Sequence, residues 1–516
     1  MNAIEAASVP VLSCDEAREL EQRIFRGNEA EEWRAMQAAG SAIGSAVVLD
    51  FREIGEFPPD GRILVLVGKG HNGGDALIAA RSLLSAFPRA TAEVVFAFGE
   101  RALRPLAARA WREFQQSTSS RIKVVGPSAI VERGLAEKAS RRTIDLCLDG
   151  IFGFQFRPPL ESPNRALLET VNALPIRLRA AVDLPSGDLF RADFTYATGS
   201  VKAPVLSSDN AGRVRYLDLG FFGGTPAIAS SNDRDSSSGS ARDLILTDEV
   251  LRPLAALRAP RSDKREFGHV FIVGGSRGYP GAVLMCAMAA IRSGAGLVTV
   301  FVPESLQPAF AARLPEAMWV AWPETPSGSL ALEGEHLLRE RLQRADALVI
   351  GPGLGREPET LALVQSIVQS ARIPIVLDAD ALQPEIVDAG GGPRVITPHL
   401  GEFKRLAGDA DLRSYAQDPK ITVVLKGPTT RICNRGPIYH SLHGGPVLAR
   451  GGSGDLLAGM IGAQLAQAPD EPLFAAARGV VWHGAASDAL ARARGQVAVA
   501  TTELLDHLGA VLHSLQ

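Results

Sequence analysis

The run Ala449-Arg-Gly-Gly-Ser-Gly-Asp-Leu-Leu-Ala-Gly459 concentrates potential chemistry in a few residues. Gly451 to Gly454 offer consecutive backbone N–H groups ahead of a helical stretch, an arrangement that can hold charge developing on a transferred phosphoryl group. Asp455 opens that stretch, placed to accept the proton of a substrate hydroxyl as its oxygen attacks phosphorus. A capped turn would explain Asp455, but not three glycines in four residues. Other polar segments each follow an apolar run. They are Gly351-Pro-Gly353-Leu-Gly355 after Ile350, Asp378-Ala-Asp380 after Leu377, Thr397-Pro-His399-Leu-Gly-Glu402 after Ile396, and Lys426-Gly427-Pro428-Thr429-Thr430 after Leu425. A lysine with two hydroxyls suits a nucleotide phosphate or ribose. His399 beside Glu402 is either a capping histidine or part of a substrate or magnesium neighbourhood.

A second constellation lies nearer the N-terminus. An apolar run, Ile63–Val67, enters Gly68-Lys69-Gly70-His71-Asn72-Gly73-Gly74-Asp75, and a helix is expected from Ala76. Glycines let the main chain approach a ligand, and the following helix aims its free N–H groups there, which suits a phosphate. The spacing is not that of a Walker A loop, and a merely tight turn would look similar. Two further apolar runs end in carboxylates: Ile144–Leu148 at Asp149, followed by Ile151-Phe152-Gly153, and Leu178–Val182 at Asp183, followed by Leu184-Pro185-Ser186-Gly187. In an open parallel sheet all strand ends of one kind share an edge, so Asn72, Asp149, Asp183 and Ser186 can converge there.

The elements that must position these residues alternate along the chain. Besides the runs above, Glu93–Phe98 reads as a strand, and helical patterns cover Cys14–Phe25, Glu29–Leu49, Ala76–Ala86 and Asn164–Ala173. Further on, Val270–Val273, Leu297–Val302, Ala347–Ile350, Ile373–Leu377, Arg394–Ile396 and Thr422–Leu425 read as strands. Gly281–Ser293, Thr360–Ser370 and Leu456–Ala466 read as helices. Continuous apolar strands between amphipathic helices predict α/β architecture, with parallel sheets covered on both faces.

A chain of 516 residues is too long for one core. Six of the eleven residues from Ser230 to Ser240 are serine. A linker is therefore expected at 225–244, between a first domain at 1–224 and a second at 245–516. A net charge of −3 argues against nucleic acid or an acidic membrane as partner. The four dispersed cysteines, Cys14, Cys147, Cys286 and Cys433, carry no zinc or disulfide spacing and suit a reducing compartment. With neither a signal-like N-terminus nor a long apolar run, a cytoplasmic enzyme is expected.

Residues Lys69–Arg81, Asp149-Gly-Ile-Phe-Gly153, Asp183-Leu-Pro-Ser-Gly187 and the lead-in Arg34-Ala-Met-Gln-Ala-Ala-Gly40 resemble the NAD(P)H-hydrate epimerase family. The resemblance implies a Rossmann-like three-layer domain that interconverts the R and S forms of hydrated NAD(P)H. It also implies a potassium ion held by Asn72, Asp149 and Ser186, with Asp183 as acid–base residue. Substrate contacts would come from His71, Asn72, Gly73, Gly74, Asp75, Gly153 and Asp183. The chain departs from the family at His71, where asparagine is usual, at Phe154-Gln155 in place of Thr-Gly, and in a short stretch after Gly187. Slow epimerisation is expected from these changes.

The second half resembles the ribokinase-like superfamily and, within it, the ADP-dependent NAD(P)H-hydrate dehydratases. Val273-Gly-Gly-Ser276, Ser293-Gly-Ala-Gly-Leu297, Gly351–Gly355, Leu377-Asp-Ala-Asp-Ala381, Thr397–Glu402 and Gly451–Asp455 appear in order. This implies a ribokinase-like three-layer domain in which Ala295, Gly353, His399 and Asp455 touch the hydrated nucleotide, with Asp455 catalytic. Lys426, Gly427, Pro428, Thr429, Thr430 and Gly454 would bind the adenine nucleotide. The implied reaction phosphorylates the ring hydroxyl from ADP with magnesium, then expels phosphate and restores the double bond. NADHX, NADPHX and ADP are the expected partners, and a homo-oligomer is expected. The alternative is a kinase for another hydroxylated small molecule, with the first domain a non-catalytic binding module.

Overall fold

The structure, a computed structural model, describes residues 3–136, 143–157, 159–222 and 241–515. It divides into two compact units, one of Pro10–Ala227 with Arg492–Gly495, the other of Met1–Val9, Ile228–Ala491 and Gln496–Gln516. Most of the expected linker lies outside the described residues. Its last residue, Leu244, does not belong to a tether: it is buried and begins the strand Leu244–Leu246. Ile4 and Ala7 join the same core as Leu244, Leu246, Val250 and Leu251, so the start of the chain belongs to the unit made mostly of its second half. A first domain beginning at residue 1 did not foresee this.

The first unit is built on a seven-stranded sheet, ordered Ile122–Val124, Thr91–Phe96, Arg62–Val67, Ile144–Gly150, Ile176–Val182, Phe194–Thr198, Arg213–Leu217. All of its pairings are parallel. Chain order runs outward from Arg62–Val67 on one side, then resumes on its other side at Ile144–Gly150, the doubly wound arrangement of a Rossmann-like sheet. Successive side chains of Arg62–Val67 serve opposite faces. Ile63, Val65 and Val67 join the core with helices Glu29–Phe51 and His71–Ala86, while Leu64 and Leu66 join the core with helix Ser162–Ala173. The helix expected from Ala76 starts at His71. Gly73 and Gly74 are therefore helical, and their role is close packing. A Cβ on Gly73 would come 2.3 Å from the Gly68 carbonyl oxygen, and one on Gly74 would come 2.7 Å from Met36 Sδ.

The second unit repeats the plan. Its strands are ordered Met318–Trp322, Leu297–Pro303, His269–Val273, Ala347–Ile350, Ile375–Leu377, Arg394–Ile396, Ile421–Leu425, parallel throughout, with the winding reversed between His269–Val273 and Ala347–Ile350. Thr430–Cys433 and Tyr439–Ser441 extend the sheet antiparallel, and Leu244–Leu246 pairs parallel with the last of these. Val270 and Ile272 face one core, Phe271 and Val273 the other, giving three layers. The four cysteines are free. Among the described residues no helix is long and apolar enough to cross a membrane.

Candidate functional sites

In the first unit the strand ends flanking the winding reversal open onto a cavity of about 340 Å³. His71, Asn72, Asp75, Gly153 and Asp183 line it, with Lys69, Arg104, Phe98 and Thr198. Asp183 sits at φ +66, a strained value for a side-chain-bearing residue, and is held there from several directions. Its Oδ1 accepts from the Thr198 N–H, the Thr198 hydroxyl and Lys202 Nζ, each at 3.0 Å, and its Oδ2 accepts from Lys202 Nζ at 2.9 Å. Lys202 is fully buried, so the two form a desolvated ion pair. Sequence reasoning missed Lys202, because a lysine in Thr198-Gly-Ser-Val-Lys202 gives no sign that it points inward.

The three residues expected to hold potassium also converge. Ser186 donates from its hydroxyl to Asp149 Oδ1 at 2.7 Å and from its backbone N–H to Oδ2 at 2.8 Å, and its Oγ accepts the Phe152 N–H at 2.9 Å. Asn72 Nδ2 donates to the Val182 carbonyl at 2.9 Å, which leaves Oδ1 on its other side. A Cβ on Gly153 would lie 2.2 Å from that oxygen. Carboxylate, amide and hydroxyl oxygens beside a glycine-lined recess suit a hard monovalent cation, so the donor set fits the ion. Burial pushes the Asp149 carboxyl up to about 6 against the pull of its hydrogen bonds with Ser186 and Ile151.

In the second unit the helix Ser453–Gln467 begins behind Gly452, which at φ +91 adopts a conformation suited to glycine and turns the chain into the helix. Around that helix start the carboxyl ends of the central strands bring Asp378, Thr397 and Lys426 together. Asp378 Oδ1 accepts from Lys426 Nζ at 2.9 Å and from the Thr397 hydroxyl at 2.6 Å. A Cβ on Gly454 would come 3.3 Å from Lys426 Nζ and 3.8 Å from Asp378 Oδ2. Burial pushes the Asp455 carboxyl up to about 7; the Asp378 charge adds to this and Lys426 opposes it. Burial pulls the Lys426 ammonium down, but the charge and hydrogen bond of Asp378, with the charges of Glu402 and Asp455, together leave it above its ordinary value. The turn continues through exposed Gly427 and Pro428 to half-buried Thr429 and Thr430, which opens the strand Thr430–Cys433. His399 caps the helix Leu400–Ala407, its Nδ1 accepting the N–H groups of Gly401 and Glu402, and its ring stands 62% exposed. Among the described residues no three His, Cys, Asp or Glu side chains form a metal cluster. Asp378 and Asp455 are the carboxylates at hand, which fits a magnesium ion held largely by phosphate oxygens and water.

Ala295 is not part of this assembly. Site residues follow strands, whereas Ala295 precedes the strand Leu297–Pro303 and so sits at the opposite edge of the sheet. Gln464, two turns and more beyond Asp455 on the same helix, reaches the Ser293 carbonyl there at 3.1 Å. That puts Ala295 on the order of 15 Å from the helix start. The residue at the site is Ala282, in the first turn of the helix Pro280–Arg292. A Cβ on Gly353 would come 3.1 Å from the Ala282 Cβ and 2.3 Å from the Tyr279 carbonyl oxygen, and Ser276 Oγ donates to the Gly353 carbonyl at 2.8 Å.

Both units match family models: residues 34–206 that of the YjeF-related protein N-terminus, residues 270–509 that of NAD(P)H-hydrate dehydratase. Fold and sites define a two-site α/β enzyme, with acid–base groups gathered at the carboxyl ends of the strands of each sheet. The bifunctional NAD(P)H-hydrate repair enzyme Nnr of Moorella thermoacetica is 35% identical over 480 residues, covering 88% of both chains. The enzyme of that name from Gloeobacter violaceus is 35% identical over 504 residues, covering 92% of both. An ADP-dependent (S)-NAD(P)H-hydrate dehydratase of Xanthomonas campestris is 36% identical over 270 residues, covering 50% of this chain and 93% of its own. The chain belongs to the family of bifunctional NAD(P)H-hydrate repair enzymes.

Proposed function

We propose that the second unit dehydrates the S form of hydrated NAD(P)H using ADP, and that the first interconverts the R and S forms so that both are recovered. The observation that carries the dehydratase reading is Asp455 at a helix start beside the Asp378–Lys426 pair. A carboxyl raised to about 7 is well matched to remove a hydroxyl proton near neutral pH. N–H groups from Gly451 to Gly454 stabilise charge on the phosphoryl group in flight, and Lys426 with the Thr429 and Thr430 hydroxyls receives the adenine nucleotide. Magnesium, held by the phosphates with Asp378 or Asp455, would neutralise charge between donor and acceptor oxygens. A ring hydroxyl leaves poorly and its phosphate ester leaves well, so phosphorylation is followed by loss of phosphate, with AMP as co-product. Ala282, Gly353 and His399 line the approach for the hydrated ring.

In the first unit Asp183 moves the proton of the hydroxyl on the carbon that inverts, and Asn72, Asp149 and Ser186 hold potassium, which would fix the anionic end of the substrate. The ground for slow epimerisation is that His71 and Gln155 line the cavity. Phe154 also borders it but is buried against Leu12 and Ala17. Relatives alike across both units disfavour a kinase with a passive first domain. Incubation with hydrated NADH and ADP tests the reading through the return of dihydronicotinamide absorbance. A stable phosphorylated product with no such return would refute it. Faster turnover of the R form on adding an independent epimerase would show that the first unit is slow.

A further inference from the structure

The helix Cys14–Phe25 precedes the stretch matched by the YjeF-related family model, and no role attaches to it from sequence. It is firmly made: Ser13 and Glu16 form a reciprocal capping box at its start. Positions four apart share a helix face, so Ala17, Glu21 and Phe25 form one stripe. Ala17 packs with Leu12 and Phe154, and Phe25 meets Phe221 edge to face at 5.8 Å between ring centres. The middle of that docked stripe is a carboxyl, and Glu21 lines the cavity that also holds Asp75 and Asp183. A carboxyl on a docking face costs stability unless something uses it.

A second carboxyl is buried at this cavity. Asp75 is 8% exposed, and its buried Oδ1 has no hydrogen-bond partner. Asp183 is committed to Lys202 and Thr198. Four carboxyls from four separate elements, Glu21, Glu32, Asp75 and Asp183, thus face one space; Asp183 is paired with Lys202, and Glu32 lies 4.0 Å from His71.

Hydration of a dihydronicotinamide places the hydroxyl on the ring carbon bonded to nitrogen, because an enamine is protonated at its far carbon and water joins the near one. Inverting that hemiaminal carbon needs one base and one acid. The base takes the hydroxyl proton, the O–H electron pair becomes the C=O bond, and the C–N pair goes to nitrogen, which takes a proton from the acid. The open aldehyde turns about its C–C bond, and the reverse steps close the ring on the other face. Both carboxyls are restored and no co-reactant is consumed.

We propose that Glu21 is the general acid of this site, giving its proton to the ring nitrogen, while Asp183, anchored by Lys202 and Thr198, takes the hydroxyl proton. The assignment rests on the epimerase reading above. Burial pushes the Glu21 carboxyl up to about 7; Lys202 opposes this, and Asp183 and Glu32 add to it. Asp75, Lys69, His71, Arg104 and Arg157 also border the cavity. Burial and the charges of Asp183 and Glu21 push the Asp75 carboxyl well above its ordinary value, against Lys202.

The test uses the full chain with the R form and no ADP, so that dehydration cannot run. The two forms are separated and counted over time, with the enzyme-free rate subtracted. Catalysed interconversion is expected to fall about tenfold between pH 6 and pH 8 as Glu21 loses its proton. Glu21→Gln should be at least about 100-fold slower with that pH limb gone. Glu21→Asp, which restores a carboxyl, should regain part of the rate together with the limb. A Glu21→Gln chain within threefold of the parent and with its pH limb overturns the role, as does a Glu21→Asp chain no faster than Glu21→Gln. If the unaltered chain does not interconvert the forms, the epimerase reading itself falls and this role with it. A slow Asp183→Asn beside a normal Glu21→Gln removes Glu21 alone.

Discussion

Replacing Asp455 with asparagine separates chemistry from stability at one atom. The amide keeps the shape but cannot take a proton, so dehydration of the S form should fall by about 10²–10⁴-fold. The parent enzyme should show a rate limb that rises about tenfold from pH 6 to pH 8, because a base with a pKa of about 7 becomes available over that range. Asp378→Asn removes a charge that raises Asp455 and releases Lys426 from its partner, so the limb should move to lower pH. Stability should respond in the opposite sense. A carboxyl whose folded pKa lies above its unfolded value binds more protons when folded between the two, so stability falls as pH rises from about 4 to about 7 and stays reduced above that. Asp455→Asn removes this cost. At pH 8 the variant should be the more stable by at most about 4 kcal/mol, less for the water its half-buried side chain still meets. Near pH 4 the difference should vanish. ADP-dependent absorbance recovery measures the first effect, and thermal unfolding of the same samples at the two pH values measures the second. A folded Asp455→Asn enzyme within threefold of the parent rate, or one less stable at pH 8, would refute the assignment.

Ala282→Leu should raise the KM for the hydrated nucleotide by about tenfold or more, whereas Ala295→Leu should leave it unchanged and act on the melting temperature alone. Gly153→Ala puts a Cβ 2.2 Å from Asn72 Oδ1, so epimerisation should lose its response to added potassium while dehydration of the S form continues. Ile4→Ala should destabilise the second unit by about 2–5 kcal/mol in urea titrations although it lies at the other end of the chain.

The strand Ala347–Ile350 is legible to the residue, because a strand buried on both faces is an unbroken apolar run between breakers. The helix start at His71 is not. Asn72-Gly73-Gly74 looks like a loop, and only the nearness of Gly68 and Met36 shows why glycine occupies a helix there. Ala295 is legible as a glycine-flanked residue ahead of the strand Leu297–Pro303, and only the resemblance draws it to the site. The edge rule that gathered Asp378, Thr397 and Lys426 excludes a residue that precedes its strand. Lys202 and Glu21 were illegible for another reason. Each is a charge whose inward direction depends on packing between segments far apart in sequence, and neither propensity nor spacing encodes that.

The membership of Ile4 and Ala7 in the second unit sets an order of events on the ribosome. They emerge ahead of the strand they pack beside, Leu244–Leu246, which follows about 240 residues later, roughly 10–50 s at ordinary elongation rates. The Rossmann-like unit is continuous apart from four residues and can close in that interval, while the apolar start of the chain waits unburied. A chaperone that holds short apolar segments would therefore meet this protein at Ile4 and Ala7, and synonymous codons that slow translation before Leu244 would lengthen the exposure.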